Sequence, residues 1–181
     1  MIRRETEHLV LTSMLPEHEK ELFELHNDPL VQKSIYRNVP QTIEHIRKII
    51  NMFLAQWQRD GFGFWMVYEK TNHGPIFIGR CGLRDYEDTN NLEFVYVFFE
   101  RGAGRGLGPE AARFTITHAL QNSTKEKVVG VIAHSNERAK QAAKKLGLRY
   151  IDDRWHDGRF WQYYEMTREE FFLRAHHQVV R

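Results

Sequence analysis

The stretch FFERGAGRGLGPEAARF (residues 99–115) places glycines at 102, 104, 106 and 108 around one arginine, Arg105, and then runs straight into a helical pattern. Glycine weakens regular structure, so a cluster marks either a tight turn or a place where the backbone itself must approach a ligand. A glycine-rich strand-to-helix turn points unpaired N–H groups and the positive end of a helix dipole at one spot, which suits an anion. A diphosphate is a sensible ligand for such a loop; a turn with nothing bound is the competing reading. Register excludes two common nucleotide sites. A dinucleotide fingerprint needs glycine at its first, third and sixth places, and counting from Gly102 or Gly104 the sixth is Leu107 or Pro109. A triphosphatase loop needs Gly-Lys before Ser or Thr, where this chain has Leu107, Gly108 and Pro109.

The elements that must position this loop can be read from periodicity. HLVLTSM (8–14) has the composition of a first strand, and PEHEKELFELHND (16–28) that of a surface helix with Pro16 in its first turn and Pro29 at its end. The clearest helix spans 40–61, where Ile43, Ile46, Ile50, Phe53, Leu54 and Trp57 recur every three or four residues and Gly61 closes the run. FGFWMVYEK (62–70) and PIFIGRCGLRDY (75–86), joined by the turn TNHG, read as an antiparallel hairpin, and NLEFVYVFF (91–99) adds a third strand to make a meander. The glycine stretch then opens a helix at 109–121, with Pro109 at a first helical position and Ala112, Ile116, Ala119 and Leu120 as its apolar stripe. The unbroken apolar run VVGVIA (128–133) is what a strand covered on both faces looks like. A second helix at 137–146 and the strands LRYIDD and RFWQYYEM follow.

The chain has 181 residues, enough for one domain with a real core, and no repeat or linker divides it. Twenty-six basic against twenty-four acidic residues leave a formal charge of +2, which does not announce nucleic acid or an acidic membrane as partner. The single cysteine, Cys81, cannot form an internal disulfide, and no Cys/His spacing resembles a metal site. With no signal-peptide pattern and no run of about 18 apolar residues, a soluble cytoplasmic protein is expected.

LEFVYVFFERGAGRGLGPEAARF resembles the acetyl-CoA motif of the GNAT acetyltransferases, and within them the branch related to the ribosomal-protein N-terminal acetyltransferases. That branch reads Glu-x-Gly-Tyr-x-Leu, a spacer, then Trp-Gly-Lys/Arg-Gly-Tyr-Ala-Thr-Glu-Ala. Glu93 matches the strand glutamate, Tyr96 the tyrosine, Gly104 to Gly106 the Gly-Arg-Gly, and Glu110 with Ala111 the Glu-Ala pair. The family's Gln/Arg position then falls on Ala103; placing Arg101 there instead starts the helix three residues late relative to Pro109. Downstream, VVGVIAHSNERAKQAAKKLGLRY is similar to the next strand and helix, with Asn136 and KKLGLRY where the family has an asparagine and a closing Lys-Leu-Gly-Phe. The N-terminal strand and helices and the closing YYEMTREEF extend the resemblance over nearly the whole chain.

The resemblance implies a three-layer α+β fold: a mixed, mostly antiparallel twisted sheet with a central V-shaped splay between two parallel strands and helices on both faces. It implies acetyl-CoA as co-substrate, its pantetheine arm lying between strands 91–99 and 127–133 near Phe98. The loop Gly104, Arg105, Gly106, Leu107 and Gly108 would hold the pyrophosphate, and Asn136 would bond the arm or cap the following helix. No metal is needed: a neutral amine attacks the thioester and backbone N–H groups stabilise the oxyanion. Glu93 is the candidate base, acting through water, with an exposed strand glutamate or a substrate-orienting charge as the other reading. One departure stands out, because the branch commonly has serine three residues after the asparagine, where its hydroxyl can assist thiolate departure, and this chain has Ala139. Tyr150 and Ser135 are possible substitutes, although Tyr150 belongs to an aromatic strand and reads as core.

The acceptor pocket is expected around the helix at 40–61, Trp65, Arg84 and the RWHDGRFW hairpin, with Trp155, His156 and Trp161 as candidates to line it. The amine could belong to a protein N-terminus, a polyamine, an aminoglycoside or a small metabolite, and the branch leans towards protein N-termini. A non-catalytic acyl-CoA-binding or sensing domain is the rival to an N-acetyltransferase. Exposed strand edges leave a homodimer open.

Overall fold

The computed structural model describes residues 1–102, 104–156 and 158–179. In chain order the elements are β1 (Arg3–Glu5), β2 (Leu9–Ser13), α1 (Glu19–His26), α2 (Pro29–Ile35), α3 (Ile43–Asp60), β3 (Phe64–Glu69), β4 (Ile76–Asp85), β5 (Asn91–Phe98), α4 (Leu107–Gln121), β6 (Lys127–Ala133), α5 (Glu137–Leu146), β7 (Arg149–His156), β8 (Arg159–Thr167) and α6 (Arg168–Val179). All eight strands join one sheet in the order β1-β2-β3-β4-β5-β6-β8-β7, and every neighbouring pair is antiparallel except β5 with β6.

The parallel pair positions the site. It holds register for three residues only, from Asn91↔Lys127 to Glu93↔Val129, and then the two strands part. β5 continues along β4 to Phe98 and β6 continues along β8 to Ala133, so each keeps its outer partner while the inner edges diverge. The backbone groups on those inner edges have no strand to pair with beyond Glu93, which leaves a slot lined by hydrogen-bonding main chain.

Helices cover both faces. α3 begins where the Thr42 side chain accepts from the His45 N–H (3.2 Å) and ends at Gly61, whose left-handed φ of 70° stops the helix. Its buried stripe of Ile46, Ile50 and Phe53 packs with Leu22 and Leu25 of α1 on the β3–β5 face, and the Phe53 and Phe64 rings stack with centroids 4.0 Å apart. On the opposite face α4 buries Ala112, Ile116, Ala119 and Leu120, joined by Ala143 of α5 and Phe171 of α6. Each fully buried Ile or Leu contributes about 1.5–3 kcal/mol. Gly82 in β4 is required by close packing, since a β-carbon there would sit 2.4 Å from the Gly63 carbonyl oxygen. Cys81, beside it, is a buried core residue.

The meander, the parallel strand and the α3 and α4 stripes follow the pattern of the sequence. Pro29 does not. It opens α2 rather than closing the first helix, because Asp28 caps the new helix by accepting from Leu30 N (3.0 Å) and Val31 N (3.3 Å), and proline at a first helical position gives up no hydrogen bond. α4 likewise starts at Leu107, two residues before the expected boundary, with Gly106 as its N-cap. β1 and α6 carried no sequence expectation of their own; β1 has only three residues.

Candidate functional site

Two clefts meet at the splay. The central one, about 340 Å³, passes between β5 and β6 and is lined by Phe94 to Phe98, by Gly130 to Ala133, by Leu30, Val31, Ser34 and Ile35 of α2, and by Asn136 and Ala139 at the start of α5. The second, about 350 Å³, lies between the glycine loop and α5, bounded by Gly104, Gly106, Gly108 and Pro109 on one side and Arg138, Gln141 and Lys145 on the other. Tyr96, Phe98 and Arg138 line both and mark the passage between them.

The loop's backbone decides what it can hold. Gly104 and Gly106 have φ of 79° and 81°, a left-handed geometry that L side chains resist. A β-carbon built on either would meet no protein atom within 4 Å, so the space above them is open to a ligand. α4 starts with no side-chain cap, and its first turn therefore presents uncapped N–H groups to that space. With Arg138 and Lys145 facing the loop from α5, the arrangement fits a diphosphate.

The other expected residues are placed as follows. Phe98 borders both clefts. Leu107 turns its side chain into the core, 4% exposed, and offers the loop only its main chain. Arg105 does not line either cleft: its guanidinium pairs with both carboxylate oxygens of Glu69 and donates to the Arg101 carbonyl (2.6 Å), tying the loop to β3. Ala103 lies outside the described residues. Asn136 caps α5 by accepting from Ala139 N at 3.1 Å, which commits its Oδ1 and turns the amide's remaining chemistry to donation into the central cleft.

Glu93 closes the last rung before the splay; its Oε2 accepts from Nε of Arg84 at 2.7 Å and lies 2.7 Å from Nη2 in the same ion pair. The Glu93 side chain is 13% exposed and that of Arg84 50%, and both line the cleft. Behind this pair on the same face of β4, Arg80 is buried against the stacked rings of Phe53 and Phe64, its guanidinium carbon 5.1 and 5.0 Å from their centroids, and donates from Nε to Nε2 of His26 (3.0 Å). Burial, reinforced by the neighbouring guanidinium, pushes the His26 pKa down to about 2, so the ring is neutral, and its Nδ1 bonds the Tyr36 hydroxyl at the end of α2.

Several expectations for the acceptor side change. α2, not α3, walls the cleft. Trp65 is 1% exposed and packs in the core against Trp57 and Phe114. Trp155 is 65% exposed, stacked edge-on to Phe160, and Trp161 is the indole that lines the cleft. The His156 side chain lies outside the described residues. Tyr150 is exposed rather than core, on the edge strand β7, with its hydroxyl on Asp153. Neither it nor Ser135 reaches the cleft, whose hydroxyl-bearing lining residues, among those described, are Ser34 and Tyr96. Sequence reasoning missed Arg138, Gln141 and Lys145 as loop-facing residues, although their spacing along one face of 137–146 was the available signal.

Among the described residues no group of three His, Cys, Asp or Glu side chains gathers as a metal site, and no helix is long and apolar enough to cross a membrane. Solved structures share the fold. An acetyltransferase from Bacillus anthracis superposes with a TM-score of 0.74 at 19% identity, covering 93% of this chain and 100% of that one. Spermidine N-acetyltransferase from Vibrio cholerae gives 0.72 at 12% identity over 92% and 99%. Ribosomal-protein-S5-alanine acetyltransferase from Vibrio fischeri gives 0.74 at 12% identity over 94% and 99%. The model of the acetyltransferase (GNAT) domain family matches residues 8–149, and the chain belongs to that family.

Proposed function

We propose that the protein is a cytoplasmic N-acetyltransferase that moves an acetyl group from acetyl-CoA to a primary amine by direct attack in a ternary complex. The observation that carries this reading is the parting of β5 and β6 immediately after Glu93, opening onto the glycine loop at one end and the Arg84–Glu93 pair at the other. The Vibrio cholerae neighbour, solved with CoA and spermine, supports a coenzyme A ligand for this fold.

Bound acetyl-CoA supplies an activated acetyl thioester. Main-chain N–H groups at Gly104 to Gly108 hold the paired phosphates, Phe98 and the unpaired edge of β5 bracket the arm, and the Asn136 amide donates to it. Glu93 draws the proton, through water, from the incoming ammonium, and the free amine then attacks the thioester carbonyl. The C–N bond forms, the nitrogen gives up its second proton, the C–S bond breaks, and the sulfur takes one proton in exchange. With Ala139 in the serine position, Tyr96 is the hydroxyl placed at the passage between the clefts, and burial raises its pKa so that it keeps its proton.

Free-thiol release from acetyl-CoA with a broad amine panel tests the reading, comparing wild type with Glu93→Gln. Turnover that depends on Glu93 supports the enzyme. Ala139 favours one second reading, an acyl-CoA sensor, for which tight binding with no turnover on any amine is the signature.

A further inference from the structure

The charges at the acceptor mouth are unbalanced in a particular way. Among the described residues lining the central cleft, the charged side chains are Arg84, Glu93 and Arg138, and the one carboxylate is already held by two guanidinium nitrogens of Arg84. Behind this pair, Arg80 is 6% exposed, opposite the cleft-lining Val97, and its buried Nη1 has no hydrogen-bond partner. Its hydrogen-bonded neighbour His26 is neutral, so no anion compensates it. Apart from Ser34, Tyr96 and Asn136, the remaining walls are apolar, with Val31, Ile35, Val95 and Trp161 among them.

A polyamine entering here would meet two fixed cations and no free carboxylate to seat its distal ammonium groups. An amine with a carboxylate beside it meets the reverse situation. An Arg–Glu pair presents positive and negative charge side by side, and a zwitterion laid against it head to tail satisfies both, with Arg80 adding positive potential under the carboxylate. Half of the Arg84 side chain is exposed, so the guanidinium can take a second carboxylate on the edge that Glu93 does not use.

We propose that the acceptor is a free α-amino acid with an apolar side chain, its carboxylate on Arg84, its amine facing Glu93 and its side chain between α2 and Trp161. This rests on the N-acetyltransferase reading above. One ammonium proton leaves by Glu93, the amine nitrogen bonds to the acetyl carbon and releases its second proton, the C–S bond breaks, and the sulfur takes up one proton in exchange, giving an N-acetylamino acid and CoA thiol.

The test follows thiol release with leucine, phenylalanine, leucinamide, a peptide beginning with leucine, and spermidine, alongside acetyl-CoA binding by calorimetry. The expected result is a kcat/KM for leucine or phenylalanine roughly tenfold to a hundredfold above leucinamide, the range for losing one charge-assisted hydrogen bond. In Arg84→Gln the leucine-over-leucinamide preference should collapse through a rise in KM for leucine, and Arg84→Lys should restore part of it. Preference for leucinamide, the peptide or spermidine overturns the inference and leaves the acetyltransferase reading standing. Binding of acetyl-CoA without turnover of any of these amines also overturns it, and absence of acetyl-CoA binding removes the acetyltransferase reading itself.

Discussion

Replacing Gly106 by alanine separates what the loop does for a ligand from what it does for the fold. Gly106 sits at φ 81°, and an added β-carbon would touch no protein atom within 4 Å. The folded state therefore suffers only the left-handed strain of an L residue, about 1–2 kcal/mol, which lowers Tm by roughly 2–8 °C for a domain of this length. Gly61, at φ 70° on the C-cap of α3 and also clear of neighbours within 4 Å, supplies a matched control. Gly61→Ala carries the same strain far from both clefts. The methyl at 106, by contrast, projects into the open space over the loop and holds a phosphate off its N–H donors. Losing one charge-assisted hydrogen bond, about 1.5–3 kcal/mol, weakens CoA binding roughly tenfold to 150-fold. Calorimetric titration with CoA and thermal melts on the three proteins give both numbers. Equal CoA affinity in Gly106→Ala and Gly61→Ala would refute the reasoning.

Arg105→Ala should leave CoA affinity close to wild type by titration, because its guanidinium is spent on Glu69 rather than on either cleft. Asn136→Asp keeps the α5 cap and removes the amide donor, so Tm should stay near wild type while acetyl-CoA binding weakens, whereas Asn136→Ala should also lose about 1 kcal/mol of stability by urea unfolding. Tyr96→Phe should lower kcat with little change in acetyl-CoA affinity in the thiol-release assay, and an unchanged kcat would remove Tyr96 as the acid. His26, held neutral by burial at a pKa of about 2 against an ordinary 6.5, has a folded pKa below its unfolded one. Its contribution is full above pH 6.5 and is lost as pH falls from there toward 2; linkage makes the protein about 2 kcal/mol less stable at pH 5 than at pH 7.5. Urea midpoints at the two pH values should show that difference, and His26→Gln should remove most of it.

The glycine loop and the strand entering it were legible because their signal is local: left-handed turns and uncapped helix starts are written in a few adjacent residues. The α3 and α4 stripes were legible because a helix repeats its buried face every three or four positions. The acceptor wall was not, because Asp28-Pro29 carries two meanings, a stop for one helix and the cap and first position of the next. The partners that commit Arg105, Arg80 and Glu93 were also invisible. Glu69 lies 36 residues from Arg105 and His26 lies 54 from Arg80, and nothing in a single sequence joins them. Aromatic composition likewise could not assign faces: Trp65 is core, Trp161 lines the cleft, and Trp155 points outward on the edge strand β7.

The most direct test is a crystal structure of the protein with acetyl-CoA bound. The paired phosphates should lie within hydrogen-bonding distance of main-chain N–H groups in 104–108, and the thioester in the slot where β5 leaves β6, between Glu93 and Asn136. Phosphates held elsewhere, with the thioester outside that slot, would contradict the acetyltransferase reading.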